Sequence, residues 1–217
     1  MQENLNMDFS KNIVINTGEM EWIASPHPKV LRKPLERESA ESGHTTSVVQ
    51  YLEDASFNAH PHPLGEEIFV ISGTFSDETG DYPAGTYLRN PPGSQHSPFS
   101  KDGCVIFVKL NQFHPEDLKT IRINTNEDLW RQGHGNLRVF PLHEFRGAGT
   151  ALVKWPAGEK FIPHSHFGGE EIFVLSGTFK DEYGEYPAGS WIRNKHLSNH
   201  HPYVDEETII LVKTGHL

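Results

Sequence analysis

The chain has 217 residues, of which 35% are hydrophobic and 22% are charged, a composition typical of a soluble globular protein. Lysine and arginine number 19 against 29 aspartate and glutamate residues, so the formal net charge is −10, which argues against a nucleic-acid partner. The N-terminus lacks a secretory signal pattern and no apolar run approaches a membrane span, so we expect a cytoplasmic protein with no membrane partner.

Short β-strands are predicted along the whole chain. The runs EIFVIS, TYLRN and CVIFVKL, taken in chain order, are rich in Val, Ile, Phe and Tyr and are bounded by Gly, Pro, Asp and Ser. Between them, YPAG places a proline and a glycine where a tight turn needs them. Long helical periodicity is absent from the sequence. The pattern therefore predicts an all-β protein built as a sandwich or a barrel.

An internal repeat is the strongest signal in the sequence. Residues 60–109 align without a gap to residues 164–213, and 27 of the 50 positions are identical. Two copies that agree so closely must adopt the same structure. We therefore predict a first domain with an N-terminal extension over residues 1–112, and a connector followed by a second domain over residues 113–217. The polar segment 111–136 is interpreted as the connector.

Four residues of each copy have the types and spacing of a metal site. Residues i and i+2 of a strand share a face, so His60 and His62 project the same way, and Glu66 keeps that parity. A later strand supplies His96. Three imidazoles and one carboxylate suit Zn, Fe(II), Mn, Ni, Co or Cu. The same four residue types recur at His164, His166, Glu170 and His200. Ordinary surface or core histidines would not explain the same set in two copies.

Several neighbouring residues receive simpler interpretations. Strand parity predicts that Glu67 faces solvent and that Glu171 faces outward or forms a structural ion pair. Arg89 and Arg193 are expected to be outward and solvated, the alternative being an inward arginine that binds a carboxylate substrate. Cys104, the single cysteine, is expected to be a small buried strand residue. The histidines expected to be ordinary surface residues are His27, His44, His114, His134 and His143.

The spacing of these residues resembles that of the cupin superfamily. The first cupin motif matches Gly158, His164, His166, Glu170 and Gly177, and in the first copy His60, His62, Glu66 and Gly73. The second motif matches Gly85, Pro91, Gly93 and His96. More narrowly, GEEIFVLSGTF, DYPAGTYLRNPPGSQHSPFS and GCVIFVKL resemble the ChrR-like cupins, named for the C-terminal domain of an anti-sigma factor.

This resemblance implies a fold and a set of functions. The fold is two tandem cupin double-stranded β-helix barrels of the jelly-roll type. Each set of four residues would bind one divalent metal. Zinc is expected first, with Fe(II), Mn or Ni as alternatives. The resemblance implies a regulatory or stress-sensing protein, and the alternative is a metal-dependent dioxygenase or a similar enzyme acting on a small organic substrate. Catalysis, a small-molecule ligand in the barrel, a protein partner and a homodimer are all left open.

The sequence departs from the family pattern at three points. It shows neither the helical sigma-binding segment nor the Cys-x-x-Cys pair of ChrR-type anti-sigma factors. Asp54 occupies the position of the leading glycine in the first copy. NKHLSNH replaces NPPGSQH in the second copy, so we expect His200 to be held less firmly, with His196 or His201 as substitutes. The second site is therefore predicted to bind metal more weakly than the first.

Overall fold

The computed structural model describes residues 4–127 and 129–217, and the regular structure in these ranges is almost entirely β-strand. One short 3-10 turn spans Thr17–Glu19, and no α-helix occurs in the ranges described. Within the same residues, no helix has the length and apolar character needed to cross a bilayer. The prediction of an all-β protein is confirmed. Residues 1–3 of the predicted first domain lie outside the described residues.

The strands are numbered in chain order. Those up to residue 124 are β1 Ile13–Asn16, β2 Ile23–Ala24, β3 Val30–Arg37, β4 Thr45–Tyr51, β5 Ala55–Ser56, β6 His60–His62, β7 Glu66–Asp77, β8 Gly80–Pro83, β9 Thr86–Asn90, β10 Ser94–His96, β11 Phe99–Ser100, β12 Cys104–Leu110 and β13 Ile121–Asn124. Those that follow are β14 Arg131–Gln132, β15 Arg138–Phe145, β16 Ala148–Trp155, β17 His164–Ser165, β18 Glu170–Ser176, β19 Thr178–Asp181, β20 Gly184–Pro187, β21 Ser190–Asn194, β22 Asn199–His200 and β23 Thr208–Thr214.

The chain forms two compact units, each built around one main sheet. The first unit takes Met1–Met7 and Glu21–Glu127, and the second takes Asp8–Met20 and Asp128–Leu217. The main sheet of the first unit has the order β13-β9-β7-β12-β4-β3-β2. That of the second unit has the order β1-β21-β18-β23-β16-β15-β14. The two orders correspond strand by strand, as the internal repeat predicts.

One strand of each sheet comes from the other half of the chain. Strand β1 precedes the first repeat but pairs with β21 of the second, so that Ile13 lies opposite Arg193. Strand β13 precedes the second repeat but pairs with β9 of the first, so that Ile121 lies opposite Arg89. The division into units therefore differs from the boundary predicted between residues 112 and 113. The segment predicted as a connector contributes a strand to the first sheet.

Each unit has its own apolar core, and the two cores correspond at an offset of 104 residues. Ile68, Val70 and Phe75 are buried in the first unit, as Ile172, Val174 and Phe179 are in the second. Burial of each such side chain contributes about 1.5–3 kcal/mol to folding. The further buried members of the first core include Val49, Tyr51, Leu88, Cys104 and Ile106.

Cys104 is a buried core residue, as the sequence predicted. Its thiol is free, and burial raises its pKa to about 11. The corresponding position of the second repeat is Thr208, which is also fully buried. The cysteine is therefore a small packing residue of the strand and not a reactive thiol.

Candidate metal centres

The first cluster stands on a two-stranded ladder beside the main sheet. Strand β6 pairs antiparallel with β10, and this register places His60 directly opposite His96. Because His60 and His62 are two residues apart on one strand, all three imidazoles face the same space. The ring centroid of His62 lies 4.9 Å from that of His60 and 4.8 Å from that of His96. The ladder thus brings together three histidines that are 36 residues apart at the extremes.

Glu66 joins this cluster from the start of the next strand. Its Oε2 atom lies 3.5 Å from Nε2 of His62 and 3.3 Å from Nε2 of His96. A turn separates Glu66 from β6, and in that turn Gly65 has a φ of +79°. A Cβ at Gly65 would lie 2.3 Å from the ring of Phe113, so only glycine fits there. The carboxylate therefore reaches the site through a turn and not through continuous strand parity.

The second cluster repeats this arrangement. Strand β17 pairs with β22, and His164 lies directly opposite His200. Nε2 of His166 lies 3.2 Å from Oε1 of Glu170, and Nε2 of His200 lies 3.4 Å from Oε2 of the same carboxylate. Gly168 and Gly169, both with positive φ, form the turn before Glu170. All eight predicted residues thus fall into two corresponding clusters.

The donor atoms of these clusters fit a divalent cation. In each group of three histidines, one nitrogen per ring lies within 4.8 Å of the others. The Nε2 atoms of His62, His96, His166 and His200 are buried and have no hydrogen-bond partner. Unpaired buried polar atoms are costly, and a bound cation would satisfy them. Three imidazole nitrogens beside one carboxylate suit a borderline metal such as Zn or Fe(II).

A second set of residues orients the donors, and the sequence interpretation missed it. The Nδ1 atom of His96 lies within hydrogen-bond distance of Oδ2 of Asp77, at 3.3 Å. Asn90 donates from Nδ2 to Oε2 of Glu66 at 2.8 Å. Asp181 and Asn194 occupy the corresponding places of the second repeat, at 3.6 Å and 3.0 Å from His200 and Glu170. Their identity in both copies was the signal that could have found them.

Burial lowers the pKa of His62, His164 and His166, whereas the pKa of His96 and His200 is raised. Burial lowers the pKa of His62, and burial together with the neighbouring histidines lowers that of His166 to about 4. Burial also opposes the charged form of His96, but hydrogen bonding to Asp77 and the Glu66 charge outweigh it and raise the pKa. The pKa of Glu170 is raised by burial. Neutral imidazole is the form that binds a metal.

The altered loop of the second repeat keeps the turn of the first. Leu197 has a φ of +59° where Gly93 has +79°. The backbone N–H of Leu197 donates to the carbonyl of His166 at 3.0 Å, as that of Gly93 does to His62 at 2.8 Å. His200 therefore lies in the cluster, and the weaker hold on it stays a prediction.

The two histidines considered as substitutes for His200 have other roles. Nδ1 of His196 accepts a hydrogen bond from the backbone N–H of Gly168 at 2.8 Å. The backbone N–H of His201 donates to Glu182 at 2.7 Å. Neither histidine belongs to the second group of three.

The expectation of solvated Arg89 and Glu67 is wrong, because both side chains are buried. Arg89 is 2% exposed, and its guanidinium lies 3.7 Å from Glu67 and stacks 3.7 Å from the ring of Phe113. It also forms an ion pair with Asp117. The segment that carries Phe113 and Asp117 covers this outer face of the sheet. The guanidinium is therefore held in an ion-pair network and cannot serve as a substrate clamp.

The equivalent arginine and glutamate of the second repeat are also buried. Arg193 is fully buried, donates to the carbonyl of Asp8 at 2.9 Å and stacks over the ring of Phe9. Glu171 is 3% exposed and lies 3.4 Å from Nε2 of His216. Of the two alternatives for Glu171, the geometry matches the structural ion pair.

A cavity of about 430 Å³ opens beside the first cluster. His60 and Glu66 form part of its wall. Its apolar wall consists of Val49, Tyr51, Phe57, Ile106, Val108 and Leu110. His27 also lines it and packs on Phe57 with ring centroids 4.0 Å apart, so His27 is not the ordinary surface residue expected. A small organic molecule in this cavity would contact the cluster.

The fold and the paired histidine clusters define the class of protein, two tandem cupin barrels with the donor sets of metal sites. The sequence model of the ChrR Cupin-like domain matches residues 10–114 and again residues 118–217. The chain therefore belongs to the ChrR Cupin-like family. A comparison with curated proteins found no match.

Several solved structures resemble most of this chain in fold. A Nostoc punctiforme protein proposed to be a dioxygenase has a TM-score of 0.79 at 15% identity, over 95% of this chain and 84% of that one. The pirin YhhW of Escherichia coli, in complex with nickel(II), has a TM-score of 0.71 at 11% identity, over 94% and 98%. The oxalate decarboxylase of Lactobacillus farciminis, in a formate complex, has a TM-score of 0.66 at 13% identity, over 95% and 87%.

Proposed function

We propose that this protein is a metal-dependent enzyme whose first barrel acts on a small organic substrate. The observation that carries the proposal is the cavity whose wall includes His60 and Glu66. A closed site with purely structural metal needs no such space beside its ligands. The resemblance in fold to a protein proposed to be a dioxygenase and to an oxalate decarboxylase supports the same reading.

Each residue of the first cluster has a role in this proposal. His60, His62, His96 and Glu66 hold the cation, while Asp77 and Asn90 fix the orientation of His96 and Glu66. When bound, a divalent metal would supply Lewis acidity and a template for the substrate. Zinc is the metal we expect first, with Fe(II), Mn and Ni as alternatives. The apolar wall would contact the carbon skeleton of the substrate.

Metal analysis and turnover assays test this proposal together. Protein purified without nickel affinity is analysed for bound metals, then reloaded with Zn, Fe(II), Mn or Ni. Each form is assayed for dioxygen uptake and product formation with a panel of small ketones, enols and carboxylic acids. We expect turnover with one metal and its loss in His62→Ala, with His134→Ala as the control. Absence of bound metal, or metal without turnover and without an exchangeable water ligand, would overturn it.

A regulatory or stress-sensing role is the second candidate. The match of both repeats to a family named for an anti-sigma factor domain supports it. In this case the metal would be held by four protein ligands, and its loss would change the structure rather than stop a reaction. Hydrogen exchange of the metal-loaded and metal-free protein separates the two roles, because a sensor requires changed protection well beyond β6 and β10. The cytoplasmic location remains a prediction that cell fractionation tests.

A further inference from the structure

Two arginines line the cavity of the first barrel, and both come from strand β3. Arg32 and Arg37 lie in the same cavity wall as Val49, together with Glu41. Their five-residue separation would place them on opposite faces of a regular strand. A β-bulge between Pro34 and Glu36 shifts the register by one residue. The bulge therefore aims both guanidinium groups at the same space.

Arg37 forms no direct ion pair with a carboxylate among the described residues, although the charge of Glu41 is near enough to raise its pKa slightly against the two opposing causes. Its side chain belongs to a residue that is 4% exposed, and its Nε atom is buried without a hydrogen-bond partner. The polar contact of its guanidinium is a hydrogen bond from Nη1 to the carbonyl of Ala40. Among the described residues, no Asp or Glu oxygen lies within ion-pair distance of it. Burial first, and the charge of Arg32 second, lower the pKa of Arg37.

The neighbouring arginine of the wall, Arg32, pairs with an exposed carboxylate. Nη1 of Arg32 lies 3.0 Å from Oε2 of Glu41, whose side chain is 45% exposed. An exposed carboxylate of this kind is held weakly and can be displaced. A buried cation without a directly paired counter-ion is costly, and an incoming anion would reduce that cost. Arg37 and Arg32 together thus form a prepared anion site, a geometry that suits a carboxylate.

The second barrel does not repeat this arrangement. Val49 and Val153 are equivalent positions of the two repeats. Arg32 lies opposite Val49 and Val139 lies opposite Val153, so Val139 occupies the position of Arg32 in the second barrel. Glu144 stands in the same way where Arg37 does. A cavity of about 330 Å³ on these strands includes Glu144 in its lining, and none of the four cluster residues. Among the described residues, the arginine pair thus belongs to the first barrel alone, although both barrels carry the histidines.

We propose that the first barrel binds a small organic carboxylate, with its carboxylate on Arg37 and Arg32 and its apolar body against the wall beside the His60 cluster. The second barrel lacks this subsite. This inference rests on the proposed function only in naming the cavity as the substrate site. The apolar residues of the wall favour an aryl or alkyl carboxylate over inorganic phosphate.

Matched probes test the inference directly. Benzoate and 3-phenylpropionate are titrated into the full-length protein by calorimetry, beside benzamide and 3-phenylpropionamide, which have the same shape without the charge. We expect the carboxylates to bind at least about tenfold more tightly than the amides, the difference of one charge-assisted contact. Arg37→Gln should abolish this preference. Glu41→Gln should strengthen carboxylate binding, because it removes a negative charge that acts on both Arg32 and Arg37.

Two further variants guard against a folding artefact. Arg37→Lys keeps the charge without the planar fork, and it should restore part of the carboxylate preference. Glu144→Gln changes the corresponding position of the second barrel and should leave binding unchanged. Thermal unfolding of every variant confirms that the fold is intact. Equal binding of amides and carboxylates, an unaffected preference in Arg37→Gln, or binding of phosphate alone would overturn the inference.

The failure of this inference can be told apart from that of the proposed function. The titrations are run on zinc-loaded and on metal-free protein, with metal content measured in each. If the unaltered protein binds none of the offered metals but still prefers carboxylates, the anion site is supported and the metal-dependent enzyme is contradicted. Full metal content in a protein without carboxylate preference would contradict only the anion site.

Discussion

The carboxylate of Asp77 lies 3.3 Å from Nδ1 of His96 and leaves Nε2 of that ring turned toward Glu66. This hydrogen bond orients a candidate ligand and, together with the charge of Glu66, raises its proton affinity. The second repeat places Asp181 beside Nδ1 of His200 at 3.6 Å, just beyond hydrogen-bond distance. The shared arrangement leads to a prediction about protons.

Metal binding should release protons from His96. Its raised pKa lets the ring of the metal-free protein keep its proton to a higher pH than an ordinary histidine does, and a metal requires the neutral ring. Metal affinity should therefore fall as the pH is lowered through this raised pKa. Asp77→Asn weakens the interactions that raise it, so this variant should release fewer protons on metal binding when both proteins are compared at the same pH. Calorimetry in buffers of different ionisation enthalpy measures the proton count.

The control for this experiment is Asp81→Asn, because Asp81 accepts a hydrogen bond from Ser76 and contacts no histidine. Its proton count should equal that of the unaltered protein. An unchanged count in Asp77→Asn would show that this carboxylate does not govern the proton affinity of His96.

The two clusters should bind metal independently. His62→Ala should remove the ion of the first barrel and His166→Ala that of the second, so each variant keeps one ion per chain. We expect a chelator to strip the second site first, because the side chain of His166 is 17% exposed and that of His62 is 3%. Elemental analysis after graded chelation measures both outcomes.

The matched control for metal content is His134→Ala, whose histidine lies outside both groups. It should retain two ions. Two ions retained in His62→Ala would refute the assignment of the first cluster, and simultaneous loss of both ions would refute independence.

Replacing Leu197 with glycine should stabilise the protein. Leu197 has a φ of +59°, a left-handed conformation that costs a residue with a side chain about 1–2 kcal/mol. Glycine adopts it freely but loses more entropy on folding, so we expect a net gain of up to about 1 kcal/mol. Urea unfolding measures the difference.

The reciprocal variant is Gly93→Leu, which should destabilise the protein by about 1–2 kcal/mol. No atom lies within 4 Å of a Cβ built at Gly93, so this loss would come from the backbone and not from a clash. Stabilisation by Gly93→Leu, or destabilisation by Leu197→Gly, would contradict the explanation.

The first barrel should depend on a strand that precedes the second repeat. Ile121 on β13 is 6% exposed and lies opposite Arg89 on β9. Ile121→Ala should cost about 2–5 kcal/mol, the usual penalty for removing a buried aliphatic side chain. Hydrogen exchange should show the lost protection in β9 and β7 of the first unit.

Ile162→Ala serves as the control for this prediction, because Ile162 is 62% exposed. It should change the unfolding free energy little. Loss of protection confined to the second unit in Ile121→Ala would show that β13 does not complete the first sheet.

Local sequence patterns were sufficient to predict the β-structure and the two candidate clusters. Short runs of β-branched and aromatic residues between turn residues predict strands, and the repeat shows that one fold occurs twice. His60, His62, Glu66 and His96 were predicted because donor types at a repeated spacing are visible in the sequence. Even Glu66 was chosen for a strand parity that the turn at Gly65 interrupts.

Features that depend on distant contacts could not be predicted in this way. Burial of Arg89 depends on Phe113 and Asp117, which lie on a segment that looks like a polar connector. Strand β13 pairs with the first sheet although its sequence leads into the second repeat. Arg32 and Arg37 share a cavity only because a bulge shifts the register between them. Spacing along the chain encodes backbone conformation and the parity of faces, whereas strand pairing and burial depend on long-range packing in the folded protein.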